Sequence, residues 1–165
     1  MRTNYMNDMQ VHRMMDRLVH EIIERNRGVS KLVVIGIKTT GATIAHKMAA
    51  RINEIEGSAI SAIELDVTPF RDDKPFQLSE SNLPDLTGKD VLLVDDVLYT
   101  GRTARAALDA VVRSGRPASI QLAVLIDRGH REYPIQPDYV GRIMPTKYKE
   151  QVEVDAKTLV VDIVE

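Results

Sequence analysis

Val91-Leu-Leu-Val-Asp-Asp-Val-Leu-Tyr-Thr-Gly-Arg-Thr103 joins a strand, two acids and a helix start in thirteen residues. Val91 to Val94 form an unbroken apolar run, as expected of a strand covered on both faces in a parallel sheet. The run ends in two adjacent carboxylates, Asp95 and Asp96. Thr100, Gly101 and Thr103 then open a helix with its apolar stripe at Ala104, Ala107, Leu108, Val111 and Val112. The first N–H groups of a helix have no internal partner and sit at the positive end of its dipole, so they bind phosphate. Gly101 lets backbone come close to a ligand. Thr100 and Thr103 add hydroxyl donors. Asp95 and Asp96 suit a pair of ribose hydroxyls, or Mg²⁺ held partly through water.

Outward from this stretch, strands and helices alternate. Val11, Met14, Met15, Leu18, Val19, Ile22 and Ile23 predict a helix over about residues 8–27, with Gly28 placed to end it. Leu32 to Ile37 reads as a buried strand. Ala45, Met48, Ala49, Ile52 and Ile55 give a second helix, closed by Gly57. Residues 59–67 and 120–126 read as strands, with short strand candidates near 151–154 and 158–164. Short connections in this alternation predict one α/β domain over residues 1–165: a central, mostly parallel sheet flanked by helices. Residues 68–90, with Pro69, Pro75, Pro84, Gly88 and several acids, predict a flexible loop at the active site. Ligands in such folds bind beyond the carboxyl ends of the strands.

Gly36-Ile-Lys-Thr-Thr-Gly41 lies at that edge too, after a strand and before a helix, with Lys38 adding charge. Its spacing is close to a nucleoside triphosphate P-loop, but Ala42 stands where that motif needs its Lys.

Composition narrows the class. Cysteine is absent, so disulfides and Cys-ligated zinc are excluded. The net charge of −2 argues against a uniformly basic nucleic-acid coat, yet charge is segregated along the 165 residues. Residues 1–57 carry +3 and residues 97–149 carry +5, around a −6 segment at 58–96 and ahead of −4 at 150–165. If the two basic stretches meet in space they form an anion-binding face. No apolar run reaches membrane-spanning length and the first residues lack an apolar signal core, so the cytoplasm is expected. His12 and His20 are eight residues apart on a helix, about 12 Å, too far to share one metal ion.

The thirteen-residue stretch resembles the phosphoribosyl diphosphate signature of type I phosphoribosyltransferases. Several other strings are similar to the PyrR family, the bifunctional pyrimidine-operon attenuation regulators and uracil phosphoribosyltransferases. They include His20-Glu-Ile-Ile-Glu-Arg-Asn26, Arg71-Asp-Asp73, Gly115-Arg-Pro117, Ile120-Gln-Leu-Ala-Val124, Asp127-Arg-Gly-His-Arg-Glu132 and Asp138-Tyr-Val-Gly141. The resemblance runs from about residue 9 to the end of the sequence. It implies the type I phosphoribosyltransferase fold with a small β hood. It also implies conversion of uracil and 5-phosphoribosyl diphosphate to UMP and pyrophosphate with Mg²⁺, in a homodimer or higher oligomer. It further implies binding of the pyrimidine (pyr) leader mRNA, with UMP or UTP as corepressor, to promote transcription termination.

By the same resemblance, Asp95 and Asp96 hold the ribose hydroxyls and the metal, and Lys38 assists the departing pyrophosphate. Thr39, Thr40, Gly41 and Arg71 meet the pyrophosphate, and Leu98, Tyr99, Thr100, Gly101, Arg102 and Thr103 surround the 5′-phosphate. Uracil lies by Ile126, Asp127 and Arg128. RNA contacts fall to Arg17, His20, Arg131, Arg142, Lys147 and Lys149. The chain departs from the family at Thr40 (usually Arg), Asp16 (usually a small hydroxyl residue), Tyr133 (usually Leu), Gln136 (usually Arg) and the segment Pro145 to Glu150. Two narrower readings stand beside the dual one: a paralogue that kept the transferase and lost RNA, and a nucleotide-sensing module alone.

Overall fold

The computed structural model describes residues 1–73 and 82–165. Strand β1 (Arg2–Met6) leads into helix α1 (Asp8–Asn26), then strand β2 (Leu32–Ile37), helix α2 (Thr40–Glu56) and strand β3 (Ile63–Leu65). A single 3₁₀ turn follows at Thr68–Phe70. Strand β4 (Asp90–Leu98), helix α3 (Arg102–Val112) and strands β5 (Ser119–Asp127), β6 (Tyr139–Ile143), β7 (Gln151–Val154) and β8 (Val161–Val164) complete the order.

Five strands form a parallel sheet in the order β3-β2-β4-β5-β6. Val91, Leu92, Leu93 and Val94 are buried, with Leu92 and Val94 in the core under α1 and α2, and Val91 and Leu93 in the core under α3. That two-sided burial is why the run shows no polar alternation. The other three strands make an antiparallel sheet, β1-β8-β7. Met6, Val154, Leu159 and Val161 from its strands and turn enter the α1–α2 core, so this hood is welded to the body.

Asn7 caps α1 in a reciprocal box: its Oδ1 accepts from the Gln10 N–H at 2.9 Å, and Gln10 Oε1 accepts from the Asn7 N–H at 2.9 Å. The left-handed turn that ends α1 begins at Arg27 (φ 52°), one residue ahead of Gly28, whose N–H donates to Ile23 O. Gly57 ends α2 in the expected left-handed conformation.

Three expectations change. The strand expected over 59–67 shortens to Ile63–Leu65. β1 and β6 lie where no strand was expected; β6 is only partly buried and β1 is a mostly exposed edge, so neither has an apolar run. The expected loop 68–90 is not a single unit. Its middle, residues 74–81, falls outside the described residues. Its last part is pinned: Leu86 is 0% exposed in the α3 core, its N–H donates to Ser114 O at 2.8 Å, and the Gly88 N–H donates to Arg116 O at 3.0 Å.

Candidate active site

Asp95 and Asp96 lie inside β4, which runs two residues, Val97 and Leu98, beyond the acid pair. Each carboxylate accepts from the next main-chain N–H: Asp95 Oδ1 from Asp96 at 2.8 Å and Asp96 Oδ1 from Val97 at 2.7 Å. Both residues are half-buried. Loss of hydration, then the charge of Asp96, pushes the Asp95 carboxyl well above the usual carboxylate range. A cationic ligand relieves both effects.

The loop from β2 to α2 flanks the pair. Gly41 packs on β4 so tightly that a Cβ there would stand 2.7 Å from Val94 O and 3.2 Å from Asp95 Oδ1. Gly36 is equally constrained, by Ala42 and Ala45. This is what fixes the 36–41 loop beside the acids. The Lys38–Thr39 peptide bond is cis. The Lys38 N–H donates to Leu65 O at 2.9 Å, and Lys38 and Thr39 are exposed. Thr39 precedes α2 without a side-chain cap bond, and Thr40 and Gly41 form its first turn.

The second loop, Tyr99 to Gly101, lies at the same edge. Gly101 has φ 89° at the start of α3, with the Ile135 side chain 3.1 Å from where a Cβ would be, so only glycine suits the position. Thr100 Oγ1 accepts from the Arg102 N–H at 3.2 Å, and Thr103 is exposed in the first turn. The Arg102 guanidinium turns elsewhere, donating to Glu132 and Asp72 at 2.7 Å and to Tyr133 Oη at 3.0 Å. Arg71 pairs with Asp73 on the same segment.

A hollow of about 590 Å³ opens beside this edge, lined by Val97, Tyr99, Arg128, Tyr148, Lys149, Glu150, Gln151 and Val152. Arg128 is only 6% exposed. Its guanidinium lies 4.1 Å from the centre of the Tyr99 ring. It donates to Thr146 Oγ1 at 2.9 Å and to the carbonyls of Lys147 and Glu150. Asp127 does not pair with Arg128. Its carboxylate accepts from Arg131 at 2.6 Å and from the Gly129 N–H at 3.0 Å. Burial alone would raise its pKa, but these two donors hold it below the usual range.

The chain matches the family described as "Phosphoribosyl transferase domain" over residues 1–156. It is 52% identical over 158 residues to the "Bifunctional protein PyrR" of Bacillus cereus (strain AH820), covering 91% of this chain and 88% of that protein. The Bacillus thuringiensis (subsp. konkukian, strain 97-27) protein of that name matches equally. The chain belongs to the PyrR family of phosphoribosyltransferases. Its fold is also that of the hypoxanthine phosphoribosyltransferases of Staphylococcus aureus (TM-score 0.71, 20% identity, 88% of this chain and 80% of that one) and Trypanosoma cruzi (TM-score 0.73, 18% identity, 91% and 84%).

Within this PyrR-family fold, the expected site residues divide into those at the edge and those spent in packing. Lys38, Thr39, Thr40, Gly41, Asp95, Asp96, Tyr99, Thr100, Gly101 and Thr103 gather at the carboxyl edge. Leu98 and Ile126 do not offer side chains to a ligand: both are buried in the cores, and Leu98 O already accepts from the Arg128 N–H at 3.1 Å. Ile126 is 0% exposed, so its side chain is spent in the core. Arg131, expected on RNA, donates inward to Asp127, Ile135 O and Tyr99 O. Arg17 donates to Glu21 and to the Val140 and Gly141 carbonyls. His20 Nδ1 lies 2.8 Å from Asp16 O. Arg142 is exposed, its guanidinium 5.6 Å from the Tyr5 ring centre. Lys147 and Lys149 are exposed, and Lys149 also lines the hollow beside Val97 and Tyr99.

Tyr133 and Tyr148 were not assigned to the site from sequence. Their signal was present as departures from the family's usual residues, at Tyr133 and within Pro145 to Glu150.

Proposed function

We propose that the chain transfers ribose 5-phosphate from 5-phosphoribosyl diphosphate to uracil, and that uridine nucleotides at the same site govern binding to the pyrimidine leader mRNA. The observation that carries the reading is the acid pair Asp95–Asp96 between two helix-opening loops at one sheet edge, beside a hollow of about 590 Å³.

In this reading the C1–oxygen bond to pyrophosphate breaks as uracil N1 bonds to C1, and the N1 proton is released. The protein's work is positioning and charge stabilisation. Thr39, Thr40 and Gly41 meet the pyrophosphate with N–H groups and hydroxyls, and Lys38 places its ammonium on the leaving group. Residues 99–103 hold the 5′-phosphate through main chain and the Thr100 and Thr103 hydroxyls.

The donor set fits Mg²⁺. Among the described residues no three His, Asp or Glu side chains converge, and Asp95 and Asp96 are the carboxylates that would hold such an ion. When bound, such an ion supplies positive charge to the departing pyrophosphate.

Among the described residues no helix is long and apolar enough to cross a membrane, in keeping with a cytoplasmic site of action. A second reading, a transferase without leader binding, is favoured by Arg17 and Arg131, whose donors are engaged within the chain. Two measurements separate the readings. The ultraviolet absorbance on the long-wavelength side of the uracil band should rise as uracil becomes UMP with phosphoribosyl diphosphate and Mg²⁺. Filter binding to a pyrimidine leader stem-loop should tighten with UMP. Turnover without UMP-dependent binding selects the second reading, and failure of both removes the proposal.

A further inference from the structure

Tyr148 lies in the segment where this chain leaves its family's usual sequence, and the fold goes to some length to hold it. Among the described residues it is the one aromatic side chain left largely open, at 75% exposure. It lines the hollow beside Val97 and Tyr99. Val97 is two residues beyond Asp95 along β4, about 7 Å. The hollow therefore begins roughly one sugar's length from the acid that faces the ribose.

The turn that carries Tyr148 is bracketed from inside. Buried Arg128 reaches Thr146 Oγ1 on one side of the ring and the carbonyls of Lys147 and Glu150 around it. The Glu150 carboxylate accepts from the Lys147 N–H at 2.6 Å, and the Glu150 N–H donates to Lys147 O at 3.1 Å. His130, in a left-handed conformation (φ 66°), places Nε2 2.7 Å from Thr146 O. Its ring stands edge-on to Tyr99 at 5.7 Å and to Tyr148 at 6.0 Å. One buried guanidinium and one imidazole thus set both the floor and the rim of the hollow. The Tyr148 ring keeps at least one bare face, held by a turn ordered in advance of any ligand.

We propose that Tyr148 is a base-binding residue of the transferase, a platform on which the pyrimidine ring stacks. The proposal rests on the reading of this hollow as the base site. It assigns no proton or bond-making role to the ring. A stacked planar base gains free energy from a π-face whatever its hydrogen-bonding edge, while alignment of phosphoribosyl diphosphate depends on other loops.

The test uses the full chain with Tyr148→Ala, Tyr148→Leu and Tyr148→Phe. Exposure of the ring makes all three compatible with folding. Calorimetric UMP binding and steady-state kinetics are read together. Y148A should raise KM for uracil and Kd for UMP on the order of ten-fold, with kcat and KM for phosphoribosyl diphosphate within about two-fold. Y148F should behave as the parent, because the face and not the hydroxyl is used. Y148L should resemble Y148A, because bulk alone does not stack. A parent chain that binds UMP while Y148A keeps parental KM and Kd overturns the proposal, as does full rescue by Y148L. A parent that binds neither uracil nor UMP removes the base-site reading itself, and this proposal with it.

Discussion

The carboxyl edge of the sheet and the α1–β6 face use polar groups in opposite ways. At the edge, Lys38 and Thr39 are exposed, Thr39 makes no side-chain cap bond to α2, and loss of hydration raises the Asp95 carboxyl beside Asp96. On the α1–β6 face the cations are largely consumed. Arg17 is tied to Glu21 and two carbonyls and Arg25 to Asp138, and in the neighbouring α1–α2 groove Arg51 is tied to Asp16 and Glu54. A ligand at the edge meets an exposed ammonium, an exposed hydroxyl and a half-buried acid pair. A polyanion on the α1–β6 face competes with carboxylates already in place. The same residue types are poised in one region and structural in the other, and only their surroundings distinguish them.

The largest effect comes from disturbing the edge. Gly41→Ala drives a methyl group against Val94 O and the Asp95 carboxylate, with the backbone contact at 2.7 Å leaving no room to relax. Displacing a positioned group by about 1 Å costs on the order of 100-fold. The expected result is a loss of that size in kcat/KM for phosphoribosyl diphosphate, measured by pyrophosphate release, with a circular dichroism spectrum unchanged. An Ala variant within about three-fold of the parent would break the claim that this contact sets the site.

The second test treats Arg131 as structural. Arg131→Ala leaves the Asp127 carboxylate, 7% exposed, with one N–H donor in place of a guanidinium and that donor. The expected cost is about 2 to 3 kcal/mol in urea unfolding, the penalty for orphaning a buried charged acceptor. The pH dependence has a definite sign. Asp127 titrates below its ordinary value in the folded chain, so the folded state binds fewer protons than the unfolded one near that range. The pair's contribution is therefore fully present above about pH 4 and lost as pH falls through the lowered value. The stability gap between parent and variant should be constant from pH 7 to 5 and shrink below 4. A gap that persists at low pH would show that Arg131 acts through its packing and not through Asp127.

The apolar runs made the sheet readable: Leu32 to Ile37, Val91 to Val94 and Ile120 to Ile126 are strands because both their faces are covered. The hood was harder. β1 carries Arg2, Thr3 and Asn4 on an exposed edge, and its pairing with β8, at the other end of the chain, leaves no local trace. At the site, motif spacing located Asp95, Asp96, Gly41 and Gly101, because each needs a particular chemistry or a missing Cβ at a fixed place. The resemblance gave Arg128 to uracil and Arg131 to RNA, but nothing local told either guanidinium, now tied inside the fold, from a free cation. That distinction depends on partners brought from residues 146–150 and 135, which only the folded turn supplies.

The smallest effect probes the other half of the comparison. Asp16 accepts from Arg51 at 2.6 Å, and that hydrogen bond holds the carboxyl below its usual range, so Asp16 stays charged on the α1 face. Both side chains are largely exposed, and the ion pair itself adds little stability. For a phosphate backbone it matters more, because Asp16 repels the ligand and also occupies a cation. Asp16→Ser restores the small hydroxyl usual in the family and frees one donor of Arg51. Leader RNA affinity should rise by about three- to ten-fold at low salt, and the plot of log affinity against log salt should steepen by about one counterion. Uracil turnover should stay at the parental level, since neither residue reaches the carboxyl edge. An unchanged salt slope would mean that this face does not meet the RNA backbone, and the contrast between an open edge and a paired face would then describe stability alone.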